Sequence, residues 1–130
     1  MTGAPSKTGN IQEKRLLIVE DDPVTALTLY SAFKNTGIQL FTAPNAELAI
    51  EMLRENTNIF CVFTDLNMPG RMDGHDLGNW LAREKPHLPV IFGTGGGEST
   101  KSQLQGAGRS VFTKPYDMEK LTASVLSYLQ

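Results

Sequence analysis

The sequence predicts an α/β fold, one domain built on a doubly wound, five-stranded parallel sheet with helices on both faces. Three observations predict it. Short apolar runs alternate with amphipathic stretches along nearly the whole chain, which is the pattern of strand–helix repeats. Several of these runs stop abruptly in polar residues, as strands do at the ligand-binding edge of such a sheet. The chain has 130 residues, 40% hydrophobic and 20% charged, the size and balance of a single domain.

The first strand is Leu16-Leu17-Ile18-Val19, which ends in Glu20-Asp21-Asp22. Pro23 suits the first turn of a helix, where its missing N–H costs nothing. Val24, Leu27, Tyr30 and Phe33 read as the apolar stripe of that helix, and Gly37 as its end. Ile38 to Phe41 makes a short second strand. Asn45 caps a helix reaching about Glu55, with Leu48, Ile50, Met52 and Leu53 available for packing. Ile59 to Thr64 is a continuous apolar strand running into Asp65. A loop with Pro69 and Gly70 leads to a third helix from about Asp73 to Lys85, carrying Leu77, Trp80 and Leu81. Pro89 to Phe92 is the fourth strand. Gly93 to Gly97 opens a short fourth helix that ends near Gly106. Ser110 to Thr113 is the fifth strand, and Asp117 caps a final helix with Leu121, Val125, Tyr128 and Leu129 on its apolar side.

Composition excludes several classes. A formal net charge of −2 argues against whole-surface attraction to nucleic acid, and Lys14-Arg15 is too small a basic cluster to mean direct DNA binding. The single cysteine, Cys61, lies in an apolar run, forms no internal disulfide and fits a reducing cytoplasm. No apolar run approaches the roughly 20 residues of a membrane span, so no membrane insertion is expected. Residues 1–13 read as a flexible tail and 14–130 as the domain. With the last helix at the end of the chain, no output module is expected.

Four strand ends carry distinct chemistry: Glu20-Asp21-Asp22, Asp65, Thr94 and Lys114. The right-handed crossover rule lets strands one, three, four and five lie side by side, so their tips converge. Packed carboxylates repel, and a hard divalent cation with oxygen ligands relieves that repulsion. Mg²⁺ suits one or two carboxylates plus phosphate oxygens. An aspartate can attack phosphorus, and phosphoryl transfer needs mainly positioning and charge neutralisation.

LLIVEDDP at 16–23, FTDLNMPGRMDG at 63–74, VIFGTGG at 90–96 and FTKPY at 112–116 stand in order, each at a strand end. Together they resemble the receiver domains of bacterial two-component response regulators, over about residues 14–129. The resemblance implies a flavodoxin-like (βα)5 fold with strand order 2-1-3-4-5. It implies Asp65 as phosphoacceptor, Asp21 as direct metal ligand, Glu20 as ligand through water and Asn67 as ligand through its backbone carbonyl. Asp22 would simply begin the helix. Thr94 and Lys114 would contact the phosphoryl group, with a cis Lys114–Pro115 bond aiming the lysine inward. Thr94 and Phe112 would be the switch residues. The cofactor would be Mg²⁺, with Mn²⁺ able to substitute. Partners would be a sensor histidine kinase or histidine phosphotransfer protein and a downstream protein target. The chain would be a phosphorylation-switched module with slow self-dephosphorylation rather than an enzyme. The glycine-rich fourth loop departs from the pattern, and the Thr94–Lys114 interval is short for the family.

Other readings weigh less. A receiver that binds partners without being phosphorylated would not need the full acidic set. A haloacid-dehalogenase-type phosphatase would carry a second aspartate where Asn67 stands. A flavin protein would avoid an acidic first loop. His75 and His87 have no metal-ligating neighbours in sequence, and Gly93–Gly97 lacks the ending of a phosphate-binding loop. Trp80 reads as core, and Asp73 and Asp76 as helix-start residues.

Overall fold

The computed structural model describes residues 14–56, 58–96 and 109–129. The expected tail (1–13) and the expected fourth helix ending near Gly106 lie outside the described residues. The elements are β1 (Arg15–Val19), α1 (Pro23–Phe33), β2 (Gln39–Ala43), α2 (Ala46–Glu55), β3 (Ile59–Asp65), α3 (Gly74–Glu84), β4 (Val90–Thr94), β5 (Ser110–Thr113) and α4 (Met118–Leu126). All strand pairs are parallel, in the order β2-β1-β3-β4-β5. No described helix is long and apolar enough to cross a membrane.

Strand alternation explains the continuous apolar runs. Successive side chains point to opposite faces, and here both faces are covered. Leu17, Val19 and Val62 pack under α2 and α3 with Ala46, Ala49, Leu53, Leu77 and Leu81. Leu16, Ile18, Phe63 and Ile91 pack under α1 and α4 with Leu29, Phe33, Leu121 and Val125. Cys61 is fully buried in this second layer, and burial pushes its thiol up to about 12. Trp80 is half-buried against the first layer, with the Arg54 guanidinium 5.8 Å from its ring centre.

Each described α-helix starts on a side-chain cap. Asp22, Asn45, Asp73 and Asp117 accept from the backbone N–H three residues on, and Asp73 and Asp76 form a reciprocal capping box. Each cap contributes about 1 kcal/mol.

Several sequence expectations are corrected. Val24, Leu27 and Tyr30 are exposed on α1, at 71%, 64% and 45%, while Leu29 and Phe33 are buried. A strict three-residue repeat drifts about 60° per step around a helix of 3.6 residues per turn, so Val24 lies roughly opposite Phe33. On α2, Leu48 is exposed, and Ala46 and Ala49 take the buried positions against the sheet. Tyr128 and Leu129 lie in a short 3-10 turn after α4, with Tyr128 exposed. Gly93 belongs to β4 rather than to a helix, because its backbone is in register with both Asp65 of β3 and Phe112 of β5, and Thr94 closes the strand opposite Thr113. Strand β2 begins at Gln39 and runs to Ala43 because it pairs along the whole of β1.

Candidate functional site

The carboxyl edge of the sheet gathers the polar strand ends. Glu20 and Asp21 follow β1, Asp65 closes β3, Thr94 closes β4 and Lys114 follows β5. Carboxylate oxygens of Glu20, Asp21 and Asp65 lie within 4.8 Å of one another. Glu20 and Asp65 are 4% and 2% exposed, whereas Asp21 is open to solvent. The cluster thus has one wet side, at Asp21.

Asp65 is held by hydrogen bonds at both oxygens, Glu20 at one. Asp65 Oδ1 accepts the Asn67 backbone N–H at 3.1 Å, and its Oδ2 accepts from Lys114 Nζ at 2.9 Å. Glu20 Oε2 accepts the Asp22 backbone N–H at 3.1 Å, and Oε1 lies 3.9 Å from Lys114 Nζ without a hydrogen-bond partner. Asp22 turns away to cap α1 and accepts from Thr25, which holds its carboxyl below the usual range.

Burial has an electrostatic consequence. Desolvation pushes Glu20 up to about 7, against the opposing pull of the Asp22 N–H, and the neighbouring Asp65 charge adds to the rise while Lys114 offsets it. Desolvation by itself would lower Lys114. The hydrogen bond and charge of Asp65, with Glu20 and Asp21, outweigh it and hold the amine above its ordinary value.

Three carboxylates share the charge of one lysine and form a hard-oxygen donor set, and Glu20 Oε1 meets that amine only at 3.9 Å, without a hydrogen bond. Both features fit an oxygen-coordinated divalent cation.

Thr94 is 1% exposed, its hydroxyl accepting the Gly96 N–H at 2.9 Å. Its carbonyl takes the Lys114 N–H at 2.8 Å, which ties β4 to the lysine strand. The Lys114–Pro115 peptide is cis. Gly74 lets the start of α3 close on β3, since a Cβ there would overlap the Asp65 carbonyl. His75 and His87 are exposed on separate elements and do not join the site.

Phe112, which the resemblance implies as a switch residue with Thr94, does not share its face of the sheet. It pairs in register with Gly93 and packs in the α1–α4 layer, while Thr94 pairs with Thr113. Alternation therefore puts Phe112 and Thr94 on opposite faces of the sheet. Val111 shares Thr94's face and is buried with Leu66 and Phe92. The offset is one residue, finer than a motif match resolves.

Sequence reasoning also missed Tyr116. Its ring meets Phe63 edge-on at 5.3 Å, and its hydroxyl is buried against β4 where Gly93 has no side chain. The only signal was an aromatic residue two positions after Lys114.

With the geometry in place, comparison with known proteins decides the family. Residues 16–126 match the response regulator receiver domain. The chain belongs to this family. It is a receiver domain of two-component systems, a signalling module. It is 29% identical over 119 residues to the sensor protein TorS of Escherichia coli, covering 89% of this chain and 13% of TorS. It is 33% identical over 111 residues to the response regulator protein FleR of Pseudomonas aeruginosa, covering 82% of this chain and 23% of FleR. The receiver domain thus spans a minor part of these relatives. Among solved structures, it resembles a response regulator receiver protein from Pseudomonas putida (TM-score 0.78, 27% identity, 88% of this chain and 96% of that one). The Francisella response regulator 1452 receiver domain shares the fold (TM-score 0.80, 23% identity, 89% and 96% covered).

Proposed function

We propose that this receiver domain is a phosphorylation-switched module that takes a phosphoryl group onto Asp65 with Mg²⁺ bound beside it. The observation that carries the reading is the environment of Asp65. A buried carboxylate sits 2.9 Å from an amine, next to two further carboxylates on a solvent-open edge.

Asp21 and Asp65 would hold the metal directly, Asn67 through its backbone carbonyl and Glu20 through water, with Mn²⁺ as a substitute. When bound, the metal supplies charge neutralisation for the transferring phosphoryl group. An Asp65 oxygen attacks phosphorus while the phosphorus–nitrogen bond of a phosphohistidine breaks, the electron pair leaving on the imidazole. Lys114 pairs with a phosphoryl oxygen. The Thr94 hydroxyl accepts from Gly96, so its own proton is available to a phosphoryl oxygen. Slow hydrolysis follows when water attacks phosphorus beside the Asn67 side chain, breaking the phosphorus–oxygen bond to Asp65 and releasing inorganic phosphate and the free carboxylate.

The donor would be a sensor histidine kinase or a histidine phosphotransfer protein, and the acting compartment the cytoplasm. Val24, Leu27 and Tyr30 are exposed on α1, the helix that follows Glu20 and Asp21, and would offer apolar side chains to such a donor. The phosphorylated form would then change its affinity for a downstream protein.

Incubation with acetyl phosphate and Mg²⁺, followed by intact-mass spectrometry, tests the reading. Wild type gains one acid-stable, base-labile phosphoryl group and Asp65→Asn gains none. An equally labelled Asp65→Asn protein, or an unlabelled wild type, overturns it. The second outcome would favour an unphosphorylated interaction module.

A further inference from the structure

Among the described residues, three buried side-chain polar atoms have no hydrogen-bond partner: Glu20 Oε1, Thr113 Oγ1 and Tyr116 Oη. Unpaired buried polar atoms are costly and rare, so each calls for an explanation. Strand alternation sorts them. Thr113 is in register with Thr94, on the face of Val111 and Leu66. Glu20 follows Ile18 on the other face, and Tyr116 packs there with Ile18, Phe63 and Phe112. An acceptor, Glu20 Oε1 with only the ion-pair contact to Lys114 at 3.9 Å, and a donor, Tyr116 Oη, therefore lack hydrogen bonds on the same side of the same sheet edge.

The place of the phenol is built into the sequence. A Cβ at residue 93 would overlap the Tyr116 hydroxyl and come within 2.8 Å of its Cζ and 2.7 Å of Phe63 Cζ. Gly93 is also the residue in register with Asp65. The phenol oxygen thus lies against the strand beside the acidic cluster. Burial, with the charges of Asp65 and Glu20, opposes its ionisation, so the hydroxyl remains a donor.

We propose that the Tyr116 hydroxyl is a positioning group for the acidic site, donating to Glu20 Oε1 through one ordered water. The inference rests on the metal-binding reading above. Glu20 is anchored at Oε2 by the Asp22 N–H, and a donor at Oε1 fixes the rotation of its carboxylate. A carboxylate held at both oxygens presents a fixed acceptor to metal-bound water, and partners of this kind tune metal affinity.

Tyr116→Phe keeps the ring and its contact with Phe63 and removes only the oxygen. Calorimetric titration with MgCl₂ at fixed pH, with both proteins folded, is expected to show a Kd raised about tenfold. Unchanged affinity overturns the proposal. A second readout needs no metal: in metal-free protein, the Tyr116 hydroxyl proton is expected to give a slowly exchanging NMR resonance that Glu20→Ala abolishes. A hydroxyl in fast exchange, or one indifferent to Glu20→Ala, overturns the bridge. A wild type that binds no Mg²⁺ would instead overturn the metal reading itself, while the hydroxyl resonance would still judge the bridge.

Discussion

Lys114 places its amine 2.9 Å from Asp65 Oδ2, 49 positions apart in the chain and on strands separated by β4. The lysine bridges two buried carboxylates rather than one, since Glu20 Oε1 lies 3.9 Å from the same nitrogen. That shared cation organises the acidic edge and sets the first prediction.

Lys114→Ala leaves Asp65 able to accept a phosphoryl group but removes the charge that pairs with it. Labelling by acetyl phosphate is expected to persist, while any phosphorylation-dependent gain in partner binding is lost. Loss of labelling would show that the lysine is needed for transfer itself. The measurement is intact mass together with a pull-down using beryllofluoride-treated protein.

Glu20 gives a pH dependence with a definite sign. Its carboxyl is raised from 4.5 to about 7 in the folded state. The folded protein therefore holds this proton more tightly than the unfolded chain, and the metal-free fold loses stability as pH rises from 4.5 through about 7. Mg²⁺ affinity moves the other way, falling as pH drops below about 7 and Glu20 becomes neutral. Calorimetric titrations across this range check it, and Glu20→Gln is expected to flatten the component of the profile centred there.

Gly74→Ala drives a methyl into the Asp65 carbonyl and to within 2.6 Å of the Leu66 Cα. These are backbone atoms at the end of a central strand and just beyond it, and cannot give way cheaply. A loss of about 3 kcal/mol is expected, read as a lower urea midpoint. A stability within experimental error of wild type would show that the start of α3 relaxes.

Leu27→Ser changes a side chain that is 64% exposed, so stability should move by no more than about 0.5 kcal/mol. Phosphotransfer from a histidine-containing donor is expected to slow several-fold, with acetyl phosphate labelling unchanged. Equal rates from the protein donor would remove α1 from the docking surface.

Local pattern made much of this protein legible before any coordinates. Leu16-Leu17-Ile18-Val19 and Ile59–Asp65 are buried strands because both sheet faces are covered, which a continuous apolar run already signals. Asp22, Asn45, Asp73 and Asp117 cap helices because a short acceptor side chain satisfies the first exposed N–H groups. The order of Glu20-Asp21, Asp65, Thr94 and Lys114 at strand ends implied one shared edge. What failed were assignments of side-chain direction. The α1 stripe went wrong because a three-residue repeat and a helix turn are out of phase. Phe112 lies on the opposite face from Thr94 because a shift of one residue reverses the face, a direction that no motif match fixes.

By itself, then, the sequence determined the elements, the parallel sheet and the residues that meet at its edge, since these follow from local periodicity and chain connectivity. Only the tertiary structure decided which oxygens are buried, that Lys114 serves two carboxylates, and that the Tyr116 hydroxyl occupies the space left by Gly93. Those facts depend on distances of a few ångströms between groups far apart in the chain. Burial and Coulomb forces act through space, and no spacing along the sequence encodes them.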